Sequence, residues 1–209
     1  MGEIRPVQSG DLDALYHIAL KTGASGQDAT HLHKDPNLIG HIYAAPYAVL
    51  EPGSAFVVED GEGVGGYIVG TADTRAFDAR LEAEWWPALR SRYEDPATPP
   101  AAWTADELRS YLIHHPFRTP SRVVDPYPAH LHINLLPRLQ GRGFGKSLID
   151  RWLARMRELG APGAHLGVST ANERGLAFYR AYGFEELTAA SKPGSETVWF
   201  GMLLSSPSP

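Results

Sequence analysis

Two stretches of the chain carry residue types that can do chemistry. The first is Gln140-Gly141-Arg142-Gly143-Phe144-Gly145-Lys146-Ser147, just after an apolar run that ends at Pro137. Glycine lets the backbone adopt positive φ and approach a ligand closely. Successive N–H groups at a helix start then point at one spot, where the helix dipole favours an anion. Arg138, Arg142 and Lys146 add positive charge. This pattern predicts a phosphate or pyrophosphate site. The second stretch is Ala129-His130-Leu131-His132-Ile133-Asn134. His130 and His132 are two apart in a predicted strand, so they share one face, and Asn134 continues that face towards the same cleft. An imidazole of ordinary pKa, about 6.5, suits a base near neutral pH. A polar strand face bonded to neighbouring loops is the other reading of this pair.

The glycine turn nearly fits the nucleotide-binding pattern G-x-x-x-x-G-K-[ST], because Gly145-Lys146-Ser147 matches its end. The first glycine of that pattern would fall on Gln140, and the later run AHLGVST has no terminal Asp to hold magnesium. A nucleoside triphosphatase is therefore not expected.

The surrounding pattern supplies the elements that must position these groups. Ile4–Val7 reads as a strand, and Asp11 as the cap of a helix with Leu12, Leu15, Ile18 and Ala19 at helical spacing. The glycines and prolines of residues 23–53 imply short helices and loops. Ser54–Glu59 and Val64–Thr71 form a predicted hairpin about Asp60–Gly63. Residues 73–128 read as an insertion between strands, with helical stretches near 76–92 and 104–114, the second capped by Thr104 or Asp106. Trp85, Trp86, Tyr93 and Trp103 argue for packed structure there rather than a disordered linker.

His130–Leu136 then makes a strand. Lys146–Leu159 makes a helix whose one face carries Leu148, Ile149, Trp152, Leu153, Met156 and Leu159, stopped at Gly160. Ala164–Val168 is a strand, Asn172 caps a helix to Tyr182 with Gly183 as its stop, and Thr197–Leu204 is the last strand. The tail SSPSP is expected to fray. The whole predicts one α/β (α+β) domain over residues 1–209, with a mixed, twisted central sheet flanked by helices.

Composition excludes several alternatives. The 209 residues, 43% hydrophobic, suffice for one sizeable core. A net charge of -5 argues against a nucleic-acid binder. The absence of cysteine removes disulfides, thiolate catalysis and Cys-based zinc sites. Nine histidines include His31 and His33 and the adjacent His114 and His115, but no H-E-x-x-H pattern accompanies them, so no metal is expected. The opening residues lack the apolar segment of a signal peptide, Pro6 breaks the myristoylation pattern, and no apolar run reaches membrane-spanning length. The expectation is a soluble cytoplasmic protein.

Gln140-Gly141-Arg142-Gly143-Phe144-Gly145 fits the Q/R-x-x-G-x-G/A signature of the GNAT acetyltransferases. The start Ile4-Arg5-Pro6 with Asp11, Ala14 and Leu15 resembles that family's first strand and helix. Asn172 to Tyr179, followed by Tyr182-Gly183-Phe184, resembles its later N-x-x-A-x-x-F-Y-x-x-x-G-F element. Residues 73–128 have no counterpart in this likeness. The resemblance implies acetyl-coenzyme A as the cofactor, its pyrophosphate on the N–H groups of Gly141–Ser147. It implies a pantetheine arm paired with backbone at Leu135 and Leu136, where the sheet splays near Leu135–Pro137, and touched by Asn172. Asn172 is equally a helix cap, and one role does not exclude the other.

The likeness also implies acetyl transfer to an amine, a small amine or a lysine, by direct attack. A-H-L-H ahead of the turn resembles arylalkylamine N-acetyltransferases, where a His pair relays protons, so His130 and His132 are candidate bases. Tyr179 falls where many members place a proton donor near the coenzyme A sulfur; a core aromatic is its other reading. The run Y-P-A-H-L-H-I-N-L-L-P and the aromatic insertion resemble the acetyltransferase-like domain of eukaryotic protein O-GlcNAcase and its free-standing bacterial relatives. In that domain an acidic residue occupies the place of Asn134, and the Gly-rich turn is degenerate, whereas this chain keeps the turn. A non-catalytic acetyl-CoA-binding module, sensing or scaffolding, is the alternative function.

Overall fold

Strands β2 (Phe56–Asp60) and β3 (Gly63–Thr71) show how the sheet acquires two apolar faces. Phe56, Val58 and Ile68 point to one side, while Val57, Tyr67 and Val69 point to the other. This is the alternation of a strand buried on both faces. The structure, a computed structural model, describes residues 2–188 and 196–204. Among them seven strands form one sheet in the order β1-β2-β3-β4-β5-β7-β6. The others are β1 (Glu3–Pro6), β4 (Ala129–Leu135), β5 (Gly163–Ser169), β6 (Glu185–Glu186) and β7 (Thr197–Leu203). All neighbours are antiparallel except β4 and β5.

One layer is carried by helices α1 (Leu12–Lys21), α2 (Leu38–Tyr43), α3 (Ala45–Leu50), α4 (Thr74–Arg80), α5 (Trp86–Arg90) and α6 (Ala105–His114), and α7 (Ser121–Val124) leads into β4. A π-helical turn, Leu81–Trp85, joins α4 to α5. Phe77, Leu81, Trp86, Leu89 and Ile113 pack with Leu15, Ile18 and Tyr47, so the insertion belongs to this core. The opposite layer holds α8 (Phe144–Glu158) and α9 (Glu173–Tyr182). There Leu148, Ile149, Trp152, Leu153 and Met156 are buried against the sheet.

Several sequence expectations shift. Asp11 precedes α1 but does not cap it; its carboxylate takes two bonds from Arg5 and one from the Gln8 N–H. Thr104, not Asp106, caps α6, in a reciprocal pair with Glu107, while Asp106 binds His33. Helix α8 begins two residues earlier than predicted, because Gly143 at φ 82° already turns the chain into it. It ends at Glu158, leaving Leu159 45% exposed rather than on the apolar face. Asn172 caps α9 through the Gly175 N–H, and Gly183 at φ 110° stops it, as the sequence implied. The tail SSPSP lies outside the described residues.

Candidate active site

Strand β4 divides its residues between the two layers. Ala129, Leu131, Ile133 and Leu135 join the α8 side. His130 and His132 face the other layer, where both meet Tyr47 of α3. The Tyr47 hydroxyl lies 2.7 Å from His130 Nε2 and 3.1 Å from His132 Nε2. His130 Nδ1 is 2.7 Å from Thr74 Oγ1 at the start of α4. His165 of β5 stands 5.6 Å from His130, ring to ring, and His165 Nδ1 donates to the Tyr127 carbonyl.

These rings share a desolvated environment. Burial, with the neighbouring histidines His132 and His165, holds the His130 imidazole well below its ordinary value. Burial, with His165 beside it, holds His132 down to about 4. Burial raises the Tyr47 hydroxyl. The pair is therefore neutral at physiological pH, and Tyr47 keeps its proton.

A cavity of about 560 Å³ opens above this cluster. Tyr47, Thr74, His130 and His132 line it, as do Trp86, Leu112 and Phe117 from the insertion. Gly167, Thr197 and Trp199 line it from the far strands. Burial raises the carboxyl of Asp78, a further lining group, against the opposing pull of Arg118. Asn134 is not in this lining. Its amide instead accepts from Tyr67 and donates to Thr22, so it ties β4 to β3 and to the end of α1. The other histidines disperse: His33 meets Asp106, His114 the Tyr93 carbonyl and His115 Asp95. Among the described residues no group of three or more His, Asp or Glu could hold a metal.

Strands β4 and β5 are registered only at Ala129–Ala164 and His130–His165. Beyond His130 they diverge, earlier than the predicted splay near Leu135–Pro137. The Leu136 N–H donates to Gly65 of β3 across 2.8 Å. Bonded and non-bonded pairs alternate along an antiparallel ladder, so the backbone groups of Ile133 and Leu135 turn towards the opening. Leu136 has both its groups engaged within the fold, since its carbonyl accepts from the Leu139 N–H.

The glycine turn closes one end of this opening. Gly141 and Gly143 have φ of 71° and 82°, and a Cβ at either would meet open space, so backbone conformation is what requires glycine there. The first helical bond runs from the Ser147 N–H to the Gly143 carbonyl. The N–H groups of Phe144, Gly145 and Lys146 therefore have no helical acceptor. Gln140 donates to the Leu135 carbonyl at 2.7 Å and accepts from Arg174 at 2.6 Å. Arg138 is spent on Asp60 and the Gly63 carbonyl, and Lys146 pairs with Asp150. Arg142 lies over the Phe144 ring.

Tyr179 packs with the α8 layer, against Phe184 and Phe200. Its hydroxyl has no hydrogen-bond partner among the described residues, and burial holds its pKa above the ordinary value. It stands on the sheet face opposite His130 and His132. Tyr47, Thr74 and His165 went unread in the sequence. Tyr47 lies in a stretch legible only as short helices and loops, and nothing local marks it.

A mixed sheet whose one parallel pair opens beside a Gly-rich helix start is the architecture of an acyl-group transferase fold. The profile of the Acetyltransferase (GNAT) family matches residues 12–184, and the chain belongs to that family. The solved structure of SsHAT superposes with a TM-score of 0.87 at 38% identity, covering 98% of each chain. Protein O-GlcNAcase of Rattus norvegicus is 23% identical over 201 residues, which is 96% of this chain and 22% of that protein. The chain thus spans about a fifth of the curated relatives it matches. The structure of yncA from Salmonella typhimurium, solved with acetyl-CoA, shares the fold at a TM-score of 0.57 and 16% identity, covering all of this chain and 97% of that one. Among the described residues no helix is long and apolar enough to cross a membrane.

Proposed function

We propose that residues 1–209 form one catalytic unit that moves an acetyl group from acetyl-CoA to an amine, a small amine or a lysine, by direct attack. The observation that carries this reading is the cavity over His130 and His132, set where β4 and β5 part. Acetyl-CoA pyrophosphate would rest on the N–H groups of the turn from Gly141 to Lys146, of which those of Phe144, Gly145 and Lys146 have no helical acceptor. The pantetheine arm would pair with the outward-turned backbone of Ile133 and with the Leu135 N–H, since Gln140 already occupies the Leu135 carbonyl, and would pass Asn172. This would deliver the thioester to the cavity. The insertion would form the acceptor wall, and its aromatic residues favour an acceptor with an apolar body.

The neutral amine attacks the thioester carbonyl. The C–N bond forms, the C–S bond breaks, and the nitrogen loses a proton to the histidine pair. An imidazole held near 4 is a poor match for an alkylammonium near 10.4. The base therefore acts on the much more acidic nitrogen of the adduct, after attack. Tyr179 would protonate the departing thiolate and regain its proton from water. The test is release of free CoA when the chain meets acetyl-CoA and a broad amine panel. Tight acetyl-CoA binding with no release for any amine would leave a non-catalytic binding module as the better reading.

A further inference from the structure

The hydrogen bonds around the cavity floor run in one direction. Thr74 Oγ1 lies 2.7 Å from the Pro128 carbonyl and 2.7 Å from His130 Nδ1. A hydroxyl has one proton, and a carbonyl can only accept. The Thr74 proton therefore goes to Pro128. His130 Nδ1 must then supply the proton in its own contact with Thr74. A neutral imidazole has one N–H, so His130 Nε2 is an acceptor and takes the Tyr47 proton across 2.7 Å. The Tyr47 oxygen, its proton committed, accepts from His132 Nε2 at 3.1 Å. This leaves His132 Nδ1 bare. Of the four ring nitrogens in the pair, it alone has no hydrogen-bond partner among the described residues.

We infer that His132 Nδ1 receives the acceptor's proton, and that Thr74, His130 and Tyr47 are positioning residues that hold His132 in the Nε2–H tautomer. The base role rests on the acetyl-transfer reading; the tautomer assignment does not. Once the amine nitrogen has bonded to the carbonyl carbon, its proton passes to His132 Nδ1. The sulfur leaves with the C–S electron pair. The imidazolium keeps its Nε2–H on Tyr47 and then releases the extra proton to water. The groups facing this pair are Tyr43 from α2, Tyr47 from α3, Thr74, Phe77 and Asp78 from α4, and His165 from β5. His165 is the titratable neighbour that helps depress both rings.

The test is two-bond ¹H–¹⁵N NMR on the free chain labelled in histidine, at pH 7. The expected spectrum shows His132 protonated on Nε2 and His130 on Nδ1. Thr74→Val should move His130 towards the Nε2–H form, and Thr74→Ser should restore the native pattern. His132 protonated on Nδ1, or His130 bare at Nδ1, overturns the assignment whether or not an acceptor is known. With an acceptor, His132→Gln should lower kcat by about 10²-fold or more. His130→Gln should cost less, because it removes a positioning residue and leaves the proton acceptor in place. Equal losses, or a larger loss at His130, would remove the base role from His132. Correct tautomers with no turnover of any amine would remove the base role through the functional reading and leave the tautomer assignment standing.

Discussion

The Gln140 side-chain amide donates to the Leu135 carbonyl across 2.7 Å, fastening the glycine turn to the open edge of β4. Arg174 holds the other end of the same amide from α9. One side chain thus sets the distance between the anion site and the strand that would carry the pantetheine arm. Gln140→Ala should weaken acetyl-CoA binding by up to about tenfold, in line with one neutral hydrogen bond. The melting temperature should move little, since Gln140 lies outside the core. Calorimetric affinity equal to that of the native chain would show that the tether is not used.

Gly143→Asp should lose at least about 2 kcal/mol of acetyl-CoA binding, through like-charge repulsion and a side chain beside the free N–H groups. Gly143 sits at φ 82° with open space beyond it, so the variant also carries backbone strain of about 1–2 kcal/mol in stability. Calorimetry on a variant shown by circular dichroism to be folded separates the two effects. Native affinity in that folded variant would exclude the turn as the pyrophosphate site.

Stability should fall as the solution is acidified from pH 7 to pH 5. His132 has a folded value of about 4, below the ordinary 6.5, so the unfolded chain binds its proton first. The contribution is complete above about 6.5 and is lost between that value and about 4. Its slope approaches 1.4 kcal/mol per pH unit for one such ring, on the order expected from proton linkage. His130, His165 and His41, all held low by burial, act in the same direction. Urea unfolding across this range should show a shallower slope in His132→Gln. An identical slope would mean that the folded chain protonates this ring freely.

Tyr179→Phe should keep the ring packed on Phe184 and Phe200 and remove only the hydroxyl. Turnover should drop by about 10²-fold as a general acid is lost, with acetyl-CoA affinity nearly unchanged. Full turnover in this variant would assign Tyr179 to packing alone and leave the thiolate to be protonated by water.

The glycine turn, the cap at Asn172, a cap at Thr104 or Asp106 and the shared face of His130 and His132 were all legible along the chain. Each depends on residues a few positions apart, where backbone geometry and strand or helix period decide the outcome. The family signature lies in the same local stretches. The polar floor of the cavity was not legible, because it is assembled from contacts distant in sequence. Tyr47 and His130 are 83 positions apart, and Thr74 and His130 are 56 apart. Only the packing of α3 and α4 over β4 brings their polar atoms within bonding distance. That packing also desolvates the rings and so reverses the expectation of an ordinary imidazole pKa near 6.5. Asn134 shows the same limit from the other side. Its period placed it on the histidine face, but there it bonds to Tyr67 and Thr22 and lies outside the cavity lining. Spacing along a strand determines which face a side chain takes, while the elements that cover that face decide whether the group stays free to react.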